Sequence, residues 1–196
     1  MKLHRMPKNE AYLETARRIL QGLLNPEPIP KPICGESCTV YVDQDCNRDC
    51  PDLRFALSSD PKNYPLEPKI APLVYELKLL QVFEPCWSCE GHLGLKGELW
   101  KMPEIWFYAR SVVHVRLLAE AITELHERGL LKALWEVAIC QTERDDIETC
   151  FSLRPGKIKK AVSLDELQDD LDIFARFIRG AVLNRAKKLA IGMEKS

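Results

Sequence analysis

The sequence predicts an α+β fold: an N-terminal helix, a cysteine-rich segment stabilised by metal, and a β-α-β-β-α unit with a small mixed sheet. Three observations predict it. Apolar residues recur at helical spacing near both ends of the chain. Short aromatic and β-branched runs of strand length sit in the second half. Between these lies a stretch crowded with Cys, Asp, Asn and Pro and almost without apolar periodicity, which has little burial to offset its ordering entropy. The expected division is 1–32 (helix and proline-rich arm), 33–102 (cysteine-rich, with one helix) and 103–196 (the α+β unit).

Asn9 is suited to cap the first helix, whose apolar face is Leu13, Ala16, Leu20 and Leu23. Pro26, Pro28, Pro30 and Pro32 stop it and favour an extended arm. From 33 to 65 turn residues dominate, with one short strand expected at 39–42. Pro68 suits the first turn of a helix carrying Ile70, Leu73, Val74, Leu77 and Leu80 and ending near Phe83. A Cys86/Cys89/His92 knuckle and a loop bearing Gly91, Gly94 and Gly97 follow.

The run at 104–109 reads as a strand. Ser111 caps a helix burying Leu117, Leu118, Ala121, Ile122 and Leu125, ended by Gly129. Residues 134–141 and 147–153 read as a hairpin. If the strands at 104–109 and 134–141 share a sheet, they run parallel with a right-handed crossover. Pairing Ile139 with Phe151 and Val137 with Leu153 keeps the large apolar residues on one face and sets Cys140 opposite Cys150, outside the metal site. Ser163 and Glu166 form a capping box opening a long helix with a stripe of Leu164, Leu167, Leu171, Phe174, Ile178, Val182, Arg185 and Leu189.

Charge is balanced, with 28 Lys+Arg against 29 Asp+Glu, so no global field draws the chain to nucleic acid or an anionic membrane. No apolar run reaches the length of a membrane span, and none follows the basic residues Lys2, Arg5 and Lys8. The expected compartment is the cytoplasm, where cysteines are thiols or metal ligands rather than disulfides.

Chemistry concentrates in the cysteines. Six of the eight form the pattern Cys34-x3-Cys38-x7-Cys46-x3-Cys50 and Cys86-x2-Cys89-x2-His92. Thiolates and imidazole are the ligands of zinc, and Cys-x2-Cys can chelate one ion from a tight turn. Cys34, Cys38, Cys46, Cys50, Cys86, Cys89 and His92 are therefore the candidate ligands, with zinc expected ahead of iron–sulfur, whose usual spacings are absent. Seven candidates exceed one tetrahedral site, leaving one or two ions open. His114, on a buried helix face, is the candidate for a missing fourth ligand.

The twin Cys-x3-Cys resembles that of small mitochondrial intermembrane-space chaperones, over residues 34–50 only. It departs in its seven-residue spacer and in lacking flanking amphipathic helices. Pro85-Cys86-Trp87-Ser88-Cys89 resembles the Pro-Cys-x-x-Cys half of zinc nucleoside deaminases. That resemblance implies Cys34, Cys86 and Cys89 as ligands and Glu36 of Cys34-Gly35-Glu36 as proton shuttle. The spacing between the halves is long and the segment before Cys34 is proline-rich.

Three functions are expected from these residues. The first is a non-catalytic, metal-stabilised binding or adaptor module with a protein partner. The second is a zinc hydrolase or deaminase using Cys86, Cys89 and His92, with Glu90 or Glu98 as proton shuttle. The third is nucleic-acid binding through Arg176, Arg179, Arg185, Lys187 and Lys188 of the last helix.

Overall fold

The computed structural model describes residues 10–27, 48–140, 148–157 and 162–194. Asn9, most of the proline arm, the strand expected at 39–42, and Cys34, Cys38 and Cys46 lie outside the described residues. Within them the elements are α1 (Glu10–Leu24), α2 (Leu53–Ala56), α3 (Ala71–Leu79), β1 (Phe83–Cys89), β2 (His92–Leu93), β3 (Leu99–Lys101), β4 (Glu104–Ala109), α4 (Val112–Glu127), β5 (Trp135–Ile139), β6 (Cys150–Pro155) and α5 (Leu164–Glu194). The α+β class is as expected.

Two details of the sheet differ from expectation. Its order is β1-β4-β6-β5 and every neighbouring pair is antiparallel, so it is not mixed. Strands β4 and β5 do run the same way, but β6 lies between them. The second difference is β1. Residues 83–89 form an edge strand paired with β4, not a helix end followed by a knuckle. Helix α3 stops at Leu79, and Gln81 takes a positive φ of 57° that turns the chain into the strand. Pro72, rather than Pro68, occupies the first turn of α3. Pro85 is tolerated because β1 is an edge strand and its register shifts between Pro85 and Trp87.

One face of the sheet carries Phe83, Ile105, Phe107, Trp135 and Leu153, all buried. Helices α3 and α4 cover it, α5 packs along both, and α1 packs on α5. Leu20, Leu73, Phe107, Leu118 and Phe174 belong to one continuous core, so all three sequence segments contribute to it. Aromatic edges lock the layers: Phe83 meets Phe107 at 5.4 Å and Trp135 meets Phe174 at 5.1 Å between centroids, each near perpendicular.

The helix signals are realised as hydrogen bonds. The Ser111 hydroxyl accepts from the Val113 amide. Ser163 and Glu166 cap each other's backbone amides. Beside Leu167 and Leu171 on the inner face of α5, Asp170 is fully buried. Its carboxylate accepts from the amides of Lys132 (2.7 Å) and Ala133 (3.0 Å) and from Trp135 Nε1 (2.8 Å), tying the entry to β5 onto α5.

His114 is buried on α4, its ring 6.4 Å from that of Phe83. Burial lowers its pKa; the Ile19 carbonyl favours the proton and the Arg110 charge opposes it. Unfolded, His114 titrates near 6.5, so below that pH the unfolded chain binds a proton the folded one resists. Stability contributed by neutral His114 is therefore complete above about pH 6.5 and falls as the pH drops below it. Thermal melts between pH 7.5 and 5 are expected to show a steeper decline in the wild type than in His114→Phe. Equal slopes would remove His114 as the cause.

Candidate metal centre

Strand β1 decides which cysteines can meet. An extended chain rises about 3.3 Å per residue, so Cys86 and Cys89 stand roughly 10 Å apart along it. The Cys-x2-Cys knuckle expected from the spacing is therefore not formed, and the two thiols enter different environments. Cys89 ends β1 and is buried. Gly91, at φ +87°, then reverses the chain so that His92, opening β2, comes back beside it. A Cβ at Gly91 would lie 2.7 Å from Leu164 Cδ1 and 2.8 Å from Pro103 Cδ, so glycine is required for space as well as for φ.

The third member is Glu67, in the segment between α2 and α3. Ligand atoms of Glu67, Cys89 and His92 all lie within 4.8 Å of one another. His92 Nε2 is 2.8 Å from Glu67 Oε1, while Glu67 Oε2 accepts from the Glu90 amide at 2.6 Å. Cys89 Sγ accepts from the Gly91 amide at 3.4 Å. Burial pushes the Cys89 thiol up; the Gly91 amide works against this and the Glu67 charge adds to it. One carboxylate, one thiol and one imidazole, oriented by backbone amides, make a donor set suited to zinc. A cation there would replace the direct contact between Glu67 and His92.

The other candidates among the described residues are distributed elsewhere. Cys50 is buried against Leu53 and Tyr75, beside α2 and α3. His114 cannot complete the cluster: it adjoins Phe83, at the opposite end of β1 from Cys89 and roughly 20 Å away along the strand. The Glu90 carboxylate accepts from the Lys69 amide at 2.7 Å, and that of Glu98 from the Lys96 amide at 3.0 Å. Both proposed proton shuttles are thus engaged in holding loops.

Cys86 is exposed, on the sheet face opposite the helices, with its Sγ 3.9 Å from that of Cys150. Cys140 and Cys150 are opposite each other, as the hydrophobic register required: Ile139 pairs with Phe151, Val137 with Leu153, and the Cys140 amide donates to the Cys150 carbonyl at 2.9 Å. Burial pushes the Cys140 and Cys150 thiols up to about 11, each reinforced by a neighbouring cysteine, and raises Cys86 as well. These are thiols held protonated, unlike the low-pKa thiolates of redox sensors.

The basic residues of α5 are largely paired within the fold. Arg179 contacts Glu76 at 2.8 Å, Arg185 contacts Glu120 at 2.8 Å and Lys188 lies 3.9 Å from Glu124.

The hairpin beyond His92 carries a different signal. Leu93, Leu95, Trp100 and Met102 are exposed, with Leu95 at its tip fully so and Trp100 at 71%. The Trp100 ring lies 6.4 Å from that of His92, and the Lys101 ammonium sits 4.4 Å above Trp87. Among the described residues, no helix is long and apolar enough to cross a membrane.

Comparison with protein-family models, with curated proteins and with solved structures finds no match to this chain.

Proposed function

We propose that this chain is a cytoplasmic zinc-binding module without catalytic activity, which presents the β2–β3 hairpin to a protein partner. The supporting observation is the convergence of Glu67, Cys89 and His92 at the root of that hairpin. An ion at these three residues joins the segment before α3, the end of β1 and the start of β2. It fixes the angle at which Leu93, Leu95 and Trp100 leave the body of the fold. Exposed aromatic and aliphatic residues grouped on a short rigid element are what a protein interface uses as its anchors.

Metal analysis of protein purified without added metal is expected to give zinc, with His92→Ala and Cys89→Ser each losing an equivalent. Hydrogen exchange across 92–101 should slow when zinc is added. A photo-crosslinking residue at Leu95 should give one discrete adduct in cells that disappears in His92→Ala. Wild-type protein without zinc affinity, or a zinc content unchanged in both variants, overturns the reading.

A second reading rests on the ligand count. Three protein ligands with a fourth position open is the arrangement of catalytic zinc, so a hydrolase would use Glu67, Cys89 and His92 rather than Cys86. X-ray absorption separates the two. A water oxygen in the fourth position favours hydrolysis, and a second sulfur favours the closed structural site.

A further inference from the structure

We infer that this chain pairs with a second copy of itself along the open edge of β5, joining two four-stranded sheets into one continuous antiparallel sheet. The sheet has two edge strands, and they are not alike. Strand β1 carries Pro85, which has no N–H, and its register shifts between Pro85 and Trp87. Both features keep an edge from pairing with another chain. Strand β5 has neither. Its five residues, Trp135–Ile139, include no proline and no lysine, and they pair with β6 without a register shift. An edge of that kind is a template for a further strand.

Backbone parity fixes which groups the edge offers. The Cys140 amide donates to the Cys150 carbonyl, and the Gly156 amide donates to the Leu134 carbonyl. In an antiparallel pair such bonded positions alternate with unbonded ones. Leu134, Glu136, Ala138 and Cys140 therefore turn their N–H and C=O groups towards β6, and Trp135, Val137 and Ile139 turn theirs away from it. Among the described residues, no backbone hydrogen bond reaches these three from outside the sheet. Apolar side chains are left uncovered at the same edge: Ile139 is 74% exposed and Leu134 is 56% exposed.

The strand is complementary to itself, which selects a second copy as the occupant. Two β5 strands set antiparallel about a two-fold axis at Val137 place Trp135 opposite Ile139 and Val137 opposite Val137. Each outward N–H and C=O then meets its counterpart. Ile139 gains Trp135 of the second copy as a cross-strand neighbour, an aromatic and β-branched pair that stabilises sheets. Leu134 comes to face Cys140 on the other side of the sheet. Glu136, which holds Arg154 at 3.3 Å, faces Ala138 and no second carboxylate. Neighbouring registers are poorer. One centred on Glu136 sets two carboxylates directly opposite each other, which is destabilising. One centred on Ala138 pushes Trp135 past the end of the opposing strand. The edge lies apart from the metal centre and the β2–β3 hairpin, so this pairing does not depend on either.

The test is sedimentation of the full chain in reducing buffer over a concentration series, with hydrogen exchange measured on the same samples. The mass is expected to rise from one chain to two, and the amides of Trp135, Val137 and Ile139 should exchange more slowly as it does. Ile139→Asp, at an exposed side chain, should weaken association at least tenfold and leave the melting temperature of the dilute protein unchanged. Ala138→Glu, which would face Glu136 of the second copy, should also weaken it, whereas Ala138→Lys should tighten it. Leu95→Asp, at the hairpin tip, should have no effect. A single-chain mass at every concentration overturns the inference: fast exchange of the edge amides would then leave the edge to a strand of another protein, and slow exchange would show it covered from within the chain. A dimer that Ile139→Asp does not weaken, that Leu95→Asp abolishes, or that the two Ala138 changes shift in the same direction overturns it as well.

Discussion

Replacing Asp170 with alanine is expected to lower stability by roughly 3–5 kcal/mol, because three donors, two of them in buried hydrogen bonds, lose their acceptor at once and each orphaned buried donor costs about 1–3 kcal/mol. The donors are the amides of Lys132 and Ala133 and the indole nitrogen of Trp135. No water can replace the carboxylate cheaply where Asp170 is fully buried. In a chain of this size each kcal/mol shifts the melting temperature by about 2–4 °C, so a fall of roughly 6–20 °C should be seen. Asp170→Asn tests the same point without changing volume, since its amide group brings donors to face donors. Trp135 fluorescence should shift to longer wavelength as the indole loosens. A change below about 1 kcal/mol in both variants would show that the three donors find other partners.

Asp170 also shows where the sequence was readable and where it was not. The stripe Leu167, Leu171, Phe174, Ile178 and Val182 was legible as the buried face of α5, and all five are buried. Asp170 sits on that stripe, three residues after Leu167, and an acidic residue on an apolar face was itself a signal that it holds donors. The register of β5 and β6 was legible because a one-residue slip would have turned Ile139, Phe151, Val137 and Leu153 to the wrong face. Strand β1 was hidden. Pro85 and two cysteines made 83–89 look like a turn, although Phe83 and Trp87 are strand residues and a proline is compatible with an edge. Glu67 had no signal at all. It lies 22 residues before Cys89, with no spacing rule linking a loop carboxylate to a strand end, and only the fold brings them together.

Gly91→Ala is expected to carry the second large effect, on both stability and the candidate metal centre. An alanine forced to φ near +87° costs about 1–2 kcal/mol in backbone strain. Its methyl group would also enter the space of Leu164 Cδ1 and of the Pro103 ring, and crowding of this kind costs typically 1–3 kcal/mol. The Leu164 methyl can give way, but the proline ring cannot without moving the segment into β4. Cys89 and His92 flank Gly91, so any such movement separates their ligand atoms. A displaced supporting shell typically lowers metal affinity about 10–100-fold. Gly97→Ala is the control: its φ is +78°, yet nothing lies within 4 Å of the added Cβ. Denaturant melts should place Gly91→Ala below Gly97→Ala by the crowding contribution, and only Gly91→Ala should lose zinc affinity. If the two variants melt together, the close approach of Leu164 and Pro103 has no energetic weight.

The strand order β1-β4-β6-β5 has a consequence for how the molecule is made. A ribosome delivers β4 and β5 before β6, yet β6 is the strand that joins them. Helix α5, which buries the exposed sides of α3 and α4, comes later still. At about 5–20 residues per second, the interval between the end of β5 and the end of α5 lasts roughly 3–11 s. Throughout it the sides of α3 and α4 that α5 will bury have no covering layer. The exposure time of the nascent chain is therefore set by the pace of translation, and ribosome-bound chains stopped between β6 and α5 should be held by chaperones that release the full-length product.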